Sequence, residues 1–93
     1  IAFGTISDIA LDVAGNRLLV ADTLLDAIIA VDLDTGARTL LSDPSTPDEA
    51  NPIKAPRGLA LDQDSGLIIV LDGTENALIA VNPDNGSRVV ISR

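Results

Sequence analysis

The fold is decided by a stretch that occurs twice, as DIALDVAGNRLLVAD at residues 8–22 and as GLALDQDSGLIIVLD at residues 58–72. Extending the comparison outward aligns residues 8–43 with residues 58–93 without a gap, and thirteen of the thirty-six pairs are identical. Self-similarity at a constant spacing indicates a repeat architecture. The chain therefore contains two copies of one unit with a period of fifty residues.

Each copy contains four short apolar stretches separated by turn-forming residues, which is typical of consecutive antiparallel strands. We predict strands at 8–12, 17–22, 27–32 and 37–42 in the first copy and at 58–62, 67–72, 77–82 and 87–92 in the second. The stretches DLDTG at 32–36 and NPDNG at 82–86 suit a type I turn followed by a glycine with positive φ. Each copy is thus predicted to be a four-stranded meander.

The second and third strands of each copy are apolar almost throughout, as in LLVA, AIIAV, LIIVL and ALIAV. A sheet with one wet face would alternate apolar and polar residues, so we expect both faces to be covered. Four-stranded antiparallel units that cover one another face to face are the blades of a β-propeller. We therefore predict an all-β fold with one β-propeller blade at residues 1–43, a connection at 44–56 and a second blade at 57–93.

The composition excludes most kinds of catalysis. The chain has no His, Cys, Met, Tyr or Trp, which rules out a Ser-His-Asp triad, a thiolate nucleophile, disulfides and a Cys/His zinc site. Six Lys and Arg against fourteen Asp and Glu give a formal net charge of −8, so nucleic acid and anionic membranes are poor partners. The apolar runs are far shorter than the ~20 residues of a membrane-spanning helix. We expect a soluble, acidic, non-enzymatic chain without a cofactor.

The two copies resemble the NHL-type repeat and the related gluconolactonase-like and YWTD-like six-bladed propellers. The resemblance is carried by APRGLALD at 55–62 and IIVLD at 68–72, with the first-copy counterparts at 8–12 and 18–22, and it covers almost the whole chain. These families include lactonases, lyases, ligand-binding receptors and interaction platforms, so the resemblance implies a fold without choosing a function. It is compatible with a parent protein of the bacterial periplasm or the cell exterior.

Two blades are fewer than the ~4–8 of a closed propeller and would leave apolar faces in water. The chain is then either a fragment whose missing blades complete a ring, or a building block, natural or engineered, that self-associates. It begins at Ile1 without an initiator Met and is seven residues short of two periods, which suggests a cut within the connection with every strand intact. We predict a homo-oligomer, favouring a trimer with six blades, that packs through Leu19, Val20, Ile29, Val31, Ile69, Val70, Ile79 and Val81.

Acidic residues at the turns suggest a competing function, a fragment of a metal-dependent hydrolase, a lactonase or a ligand-binding propeller. By resemblance to gluconolactonase-like propellers, Asp22, Asp72, Glu75 and Asn76 would lie near the channel mouth and are the candidate ligands for a divalent metal such as Ca²⁺. The alternative, which we favour, is that Asp22 and Asp72 accept hydrogen bonds from loop amides. The DxDxG stretches at 32–36 and 62–66 begin like Ca²⁺ loops but lack the later ligands, and turn chemistry explains them.

Three further features allow predictions. Asp12 and Asp62 follow the first strand of each copy and either line the channel or cap the next turn, the second being favoured. Arg38 and Arg88 occupy matching positions on the fourth strand, where we expect each to cover apolar surface and pair with a carboxylate of a neighbouring blade. The connection DPSTPDEANPIKAP at 43–56 is predicted to be mobile, with Ile53 able to anchor it to a blade.

Overall fold

The protein is described by a computed structural model that covers residues 1–93 and contains eight strands and no helix. The strands are β1 (Ile6–Asp12), β2 (Arg17–Asp22), β3 (Ala27–Asp32), β4 (Arg38–Ser42), β5 (Pro56–Leu61), β6 (Ile68–Asp72), β7 (Ala77–Val81) and β8 (Arg88–Ser92). They form two antiparallel sheets, β1-β2-β3-β4 (sheet 1) and β5-β6-β7-β8 (sheet 2). The all-β, two-sheet prediction is confirmed, and the arrangement is consistent with propeller blades. No helix that could cross a membrane is present.

The strand bounds follow the prediction closely, with one repeated difference. β1 and β5 both begin two residues earlier than predicted, beyond an irregularity in the register between Ile6 and Asp8 and between Pro56 and Gly58. The same irregularity at matching positions shows that the two copies share this detail of backbone geometry. An extra residue of this kind bends the strand and increases its twist.

The turns between the third and fourth strands are those predicted. Gly36 and Gly86 have φ of 75° and 76°, a conformation that glycine adopts without steric cost. Their amides donate to the carbonyls of Asp32 and Asn82, each at 2.8 Å. The Asp32 carboxylate also accepts from the amides of Asp34 and Thr35, which pre-orders the turn locally and lowers the pKa of Asp32.

Cross-strand pairing defines two faces of each sheet. In sheet 1, Leu19 pairs with Ala30 on one face, which we call the forward face, and Val20 pairs with Ile29 on the other, the back face. The forward-face residues are Leu19, Ala21, Ile28, Ala30 and Leu41 in sheet 1 and Ile69, Leu71, Leu78, Ala80 and Ile91 in sheet 2. The back-face residues are Leu18, Val20, Ala27, Ile29 and Val31 in sheet 1 and Ile68, Val70, Ala77, Ile79 and Val81 in sheet 2.

The main core lies between the two sheets, where the forward face of sheet 1 packs on the back face of sheet 2. Ile53 is fully buried in this core and so anchors the connection, as predicted. Leu59, Leu61 and Val90 pack against its edge. Burial of each large aliphatic side chain contributes about 1.5–3 kcal/mol, so this contact holds the two sheets together.

The two sheets differ in how far their outer faces are covered. The back face of sheet 1 is covered in part, because Val20, Ala27 and Ile29 lie under Phe3, which precedes β1. The forward face of sheet 2 has no such cover, and Leu67, Ala80, Val89 and Ile91 line a shallow open depression there. Within the chain, both faces of sheet 1 are covered, the back face only in part, whereas sheet 2 is covered on its back face alone.

Candidate functional site

Asp22, at the end of β2, is fully buried and accepts hydrogen bonds from four backbone amides. Its Oδ2 accepts from Gly4 at 2.7 Å, and its Oδ1 accepts from Thr5, Leu24 and Leu25 at 3.0–3.1 Å. Burial alone would raise the pKa of Asp22, but the four amides together outweigh it and hold the pKa below its ordinary value. The carboxylate thus joins the segment before β1 to the turn after β2.

Asp72, the counterpart in sheet 2, makes three of the four matching hydrogen bonds, because the Ala55 amide donates to Asp26 instead. It is fully buried, its Oδ2 accepts from the Lys54 amide at 2.9 Å, and its Oδ1 accepts from the amides of Thr74 and Glu75. The hydrogen bonds to loop amides that we favoured for both aspartates are present. Because these oxygens already accept amide hydrogens, they are engaged in holding loops.

The structure does not gather the predicted metal candidates into one cluster. Glu75 and Asn76 lie exposed in the turn after β6, where Asn76 has a positive φ of 51° that helps reverse the chain. Asp26 occupies the matching place in sheet 1 with φ 53° and accepts the Ala55 amide at 2.7 Å. No group of three or more acidic side chains in the chain could hold a metal ion.

Asp12 and Asp62 have the turn role that was favoured for them. Asp12 forms an ion pair with Arg17 at 2.9 Å and accepts the Gly15 amide, and the Arg17 contact keeps the pKa of Asp12 below its ordinary value. Asp62 accepts from the Ser65 hydroxyl at 2.8 Å and from the Asp64 amide, which lower its pKa in the same way. Both side chains therefore shape the hairpin that follows the first strand.

Arg88 corrects the prediction that it pairs with a carboxylate. It is buried, and its guanidinium donates to the Ser42 hydroxyl and to main-chain carbonyls around the connection. These carbonyls belong to Asp43, Thr46, Asp48, Ala50 and Asn51. The guanidinium carries five N–H donors in one plane, which matches this ring of acceptor oxygens. Burial lowers the pKa of Arg88. The connection, predicted to be mobile, is wrapped around this side chain.

Arg38, the counterpart of Arg88, is exposed and makes only part of the same set of contacts. It donates to the Ile1 carbonyl at 2.8 Å, just as Arg88 donates to Asn51, which is fifty residues after Ile1. Its guanidinium also stacks on the Phe3 ring, 3.8 Å from the ring centre. Within the chain it pairs with no carboxylate, and a carboxylate partner on the blade of another copy stays a prediction.

The eight residues predicted to pack blades together occupy three places. Leu19, Val70, Ile79 and Val81 lie in the core between the sheets, and Val20 and Ile29 lie buried on the back face of sheet 1. Val31 packs at the edge of that back face. Ile69 alone lies on the open forward face of sheet 2, where it is partly buried.

The largest exposed apolar surfaces lie on the two outer faces, and the sequence prediction did not single out Ile9, Leu11 and Ile91 among them. On the forward face of sheet 2, Leu78 is 41% exposed and Ile91 is 53% exposed, whereas their counterparts Ile28 and Leu41 in sheet 1 are 0% and 8% exposed. On the back face of sheet 1, Ile9 and Leu11 are more than half exposed, whereas their counterparts Leu59 and Leu61 pack into the core. The fifty-residue offset pairs each exposed residue with its buried counterpart, but the difference in exposure is visible only in the structure.

No protein-family model and no curated protein matches the chain.

Proposed function

We propose that the chain is a non-catalytic two-blade β-propeller unit of the NHL-like type that assembles with copies of itself into a closed ring. In this assembly the forward face of sheet 2 packs on the back face of sheet 1 of the next copy. The observation that carries the proposal is that the chain already makes this contact once, between its own two sheets. The two outer faces carry the same residue positions, but no second sheet packs on either of them.

Matching positions support the fit of one copy to the next. The exposed Leu78 and Ile91 would take the places that Ile28 and Leu41 have in the core, and Ile9 and Leu11 would take those of Leu59 and Leu61. The chemistry is aliphatic on both sides, so the contact removes apolar surface from water as the internal contact does. Exposed apolar faces of this kind mark interaction surfaces.

Phe3 does not obstruct this docking. Its counterpart, fifty residues later, is Ile53, which is fully buried between the two sheets of the chain. Phe3 lies on the back face of sheet 1 in the same relation to Val20 and Ile29. It therefore belongs to the proposed contact, in which it would fill the place that Ile53 fills internally.

The contact joins two different surfaces and is therefore head-to-tail. Such contacts form rings when the rotation between copies closes and filaments when it does not. With two sheets per copy, the ~4–8 blades of closed propellers correspond to two, three or four copies. The resemblance to six-bladed families favours three copies.

The test is the mass of the protein in solution, measured by sedimentation velocity over a wide range of chain concentration. We expect a single species with three times the mass of the chain. Replacing a forward-face residue by Leu78→Glu or Ile91→Glu should weaken association by at least about 100-fold, because a buried carboxylate costs several kcal/mol and each 1.4 kcal/mol is tenfold.

Leu24→Glu is the matched control. Leu24 is 69% exposed, and its counterpart Thr74 is exposed although a sheet packs behind it, so a charge there should leave the mass unchanged. Circular dichroism would establish that every variant keeps its sheets. A wild-type protein that stays monomeric at all concentrations would overturn the proposal, as would assembly that survives both forward-face substitutions.

A further inference from the structure

We infer that Gly36 and Arg38, at the start of β4, form a polar docking corner that receives the end of β8, Ile91 to Arg93, of a neighbouring copy. The inference rests on the proposed self-assembly. It adds to the apolar faces a set of directional contacts that fixes how one copy is aligned with the next.

The first observation is a close approach inside the chain. Gly86, in the turn between β7 and β8, is buried against the end of β4, and a side-chain carbon built on it would overlap the Leu41 carbonyl. The Ser42 hydroxyl donates to the Gly86 carbonyl at 3.0 Å. The turn of sheet 2 and the end of β4 in sheet 1 are therefore in direct backbone contact, which only glycine permits.

The second observation is that both halves of this contact are present again, without partners, at opposite ends of the molecule. Gly36 has the same φ as Gly86, yet it is exposed, and a side-chain carbon built on it meets nothing within 4 Å. Ile91 and Ser92, the counterparts of Leu41 and Ser42, are exposed as well. The φ of Gly36 already calls for glycine, and the open space beside it leaves room for Ile91 of another copy to approach as Leu41 approaches Gly86.

The third observation concerns the arginine two residues further on. Inside the chain, Arg88 Nη1 donates to the Ser42 hydroxyl at 2.7 Å and to the Asp43 carbonyl. The acceptors at matching positions for Arg38 are the Ser92 hydroxyl and the Arg93 main-chain carbonyl. Arg38 already makes the contact to Ile1 that corresponds to one contact of Arg88, so its guanidinium is oriented and still has N–H groups free of partners within the chain.

These contacts would set the alignment of the copies. Apolar packing is non-directional and tolerates small shifts along the strands, whereas hydrogen bonds at a close backbone approach do not. A copy shifted by one residue would place a side chain against Gly36 and remove the acceptors of Arg38. The corner thus favours the one alignment that repeats the internal contact.

The test compares Gly36→Ala with Gly66→Ala by sedimentation. Both glycines have φ of 75° and open space around the position of the added carbon, so alanine imposes the same backbone strain at each. The counterpart of Gly66 is Asn16, which has φ 50° and stays exposed although sheet 2 covers that face. We expect Gly36→Ala to weaken association at least about tenfold more than Gly66→Ala.

A double-mutant cycle tests the arginine contact separately. Arg38→Gln and Ser92→Ala should each weaken association, and the double variant should lose no more than the stronger single one, because both remove the same contact. Lys54→Gln is the matched control and should leave association unchanged, because Lys54 is exposed and its counterpart Gly4 stays exposed although sheet 2 packs on sheet 1.

The outcomes separate this inference from the proposed function. Equal association of the two alanine variants, or additive losses in the cycle, would overturn the docking corner. If Leu78→Glu abolishes assembly in the same experiments, the proposed face-to-face packing stands even when the docking corner is overturned. A monomeric wild-type protein would overturn both.

Discussion

The buried carboxylate of Asp22 joins two separate parts of the chain, and its lowered pKa shows that the ionised form stabilises the fold. Four amides donate to it, two from before β1 and two from the turn after β2. Hydrogen bonds to the charged form favour that form, so the folded chain binds the proton of Asp22 less readily than the unfolded chain does. The aspartate therefore stabilises the fold only while it is ionised.

We expect Asp22→Asn to lower the free energy of unfolding by about 2 kcal/mol near pH 7, because a buried amide donor is left facing the side-chain NH₂. The wild-type advantage should be complete above the unfolded pKa of about 3.9 and should shrink as the pH falls through the lower folded pKa. Urea unfolding at a constant chain concentration, at about pH 7 and about pH 3, measures both values.

Asp64→Asn is the control for Asp22→Asn. It removes the same charge at an exposed position where the carboxylate accepts no hydrogen bond within the chain, so it should change stability little at either pH. An Asp22→Asn effect that is equally large at both pH values would contradict the ionised role of the carboxylate.

The sequence alone could predict the role of Asp22 but not that of Arg88. An aspartate at the end of a strand accepts hydrogen bonds from the amides of the turn that follows, and the neighbouring sequence is enough to predict this. Arg38 and Arg88 occupy identical positions in the repeat, yet one is exposed and the other is buried in a ring of carbonyls. The two arginines differ in the segment that surrounds each side chain, and the repeat pattern does not show which segment that is.

The connection between the sheets is the element whose behaviour departed most from expectation. Its many polar and Pro residues predicted mobility, but the hydrogen bonds of Arg88 and the burial of Ile53 hold it at several points. The strands, in contrast, were predicted within two residues, because apolar stretches and turn residues alternate regularly. The composition of the connection predicts how that segment would behave alone, whereas in the fold Arg88 on β8 holds it in place.

We expect Arg88→Lys to destabilise the chain by about 2–4 kcal/mol, because a single ammonium cannot reach the carbonyls that the guanidinium fork serves and leaves some of them unsatisfied. Loosening should be confined to residues 43–55. Urea unfolding measures the first effect, and the rate of proteolytic cleavage within the connection measures the second.

Arg57→Lys provides the comparison for Arg88→Lys, since Arg57 is exposed and the exchange there should leave both readings unchanged. An Arg88→Lys variant whose connection resists protease as well as the wild type would show that Arg88 does not hold this element.

For the whole molecule, net charge acts against the proposed assembly. Each copy carries a formal charge of −8, and copies that meet face to face bring like charges together. The contact faces themselves are aliphatic and the charges lie mostly at turns. Association should therefore be driven by apolar burial and opposed by a diffuse repulsion that salt can screen.

We expect added NaCl to strengthen association, because salt at about 0.1 M screens charges beyond about 10 Å without weakening apolar contacts. Sedimentation at low and at high salt would measure the change in the association constant. A second simple salt at the same ionic strength should act equally if screening is the cause. Association that weakens with salt would indicate ion pairs across the contact instead.

Two sheets per chain followed directly from the fifty-residue repeat, but the direction of their packing did not. Identical repeats can stack forward on back, back on back or forward on forward, and the sequence pattern is the same in each case. Ile28 is buried whereas its counterpart Leu78 is exposed, and this difference shows that the forward face of sheet 1 packs on sheet 2. Such a difference between equivalent positions exists only in three dimensions.

The forward-on-back order also has a genetic consequence. In the proposed ring every copy must supply both a sound forward face and a sound back face, so one defective copy leaves a gap that no partner can fill. A defective copy keeps its other face and can still enter an assembly. If a cell made normal and defective chains in equal amounts, fewer than half of the proposed rings would therefore be complete, and the defect would behave as a dominant trait.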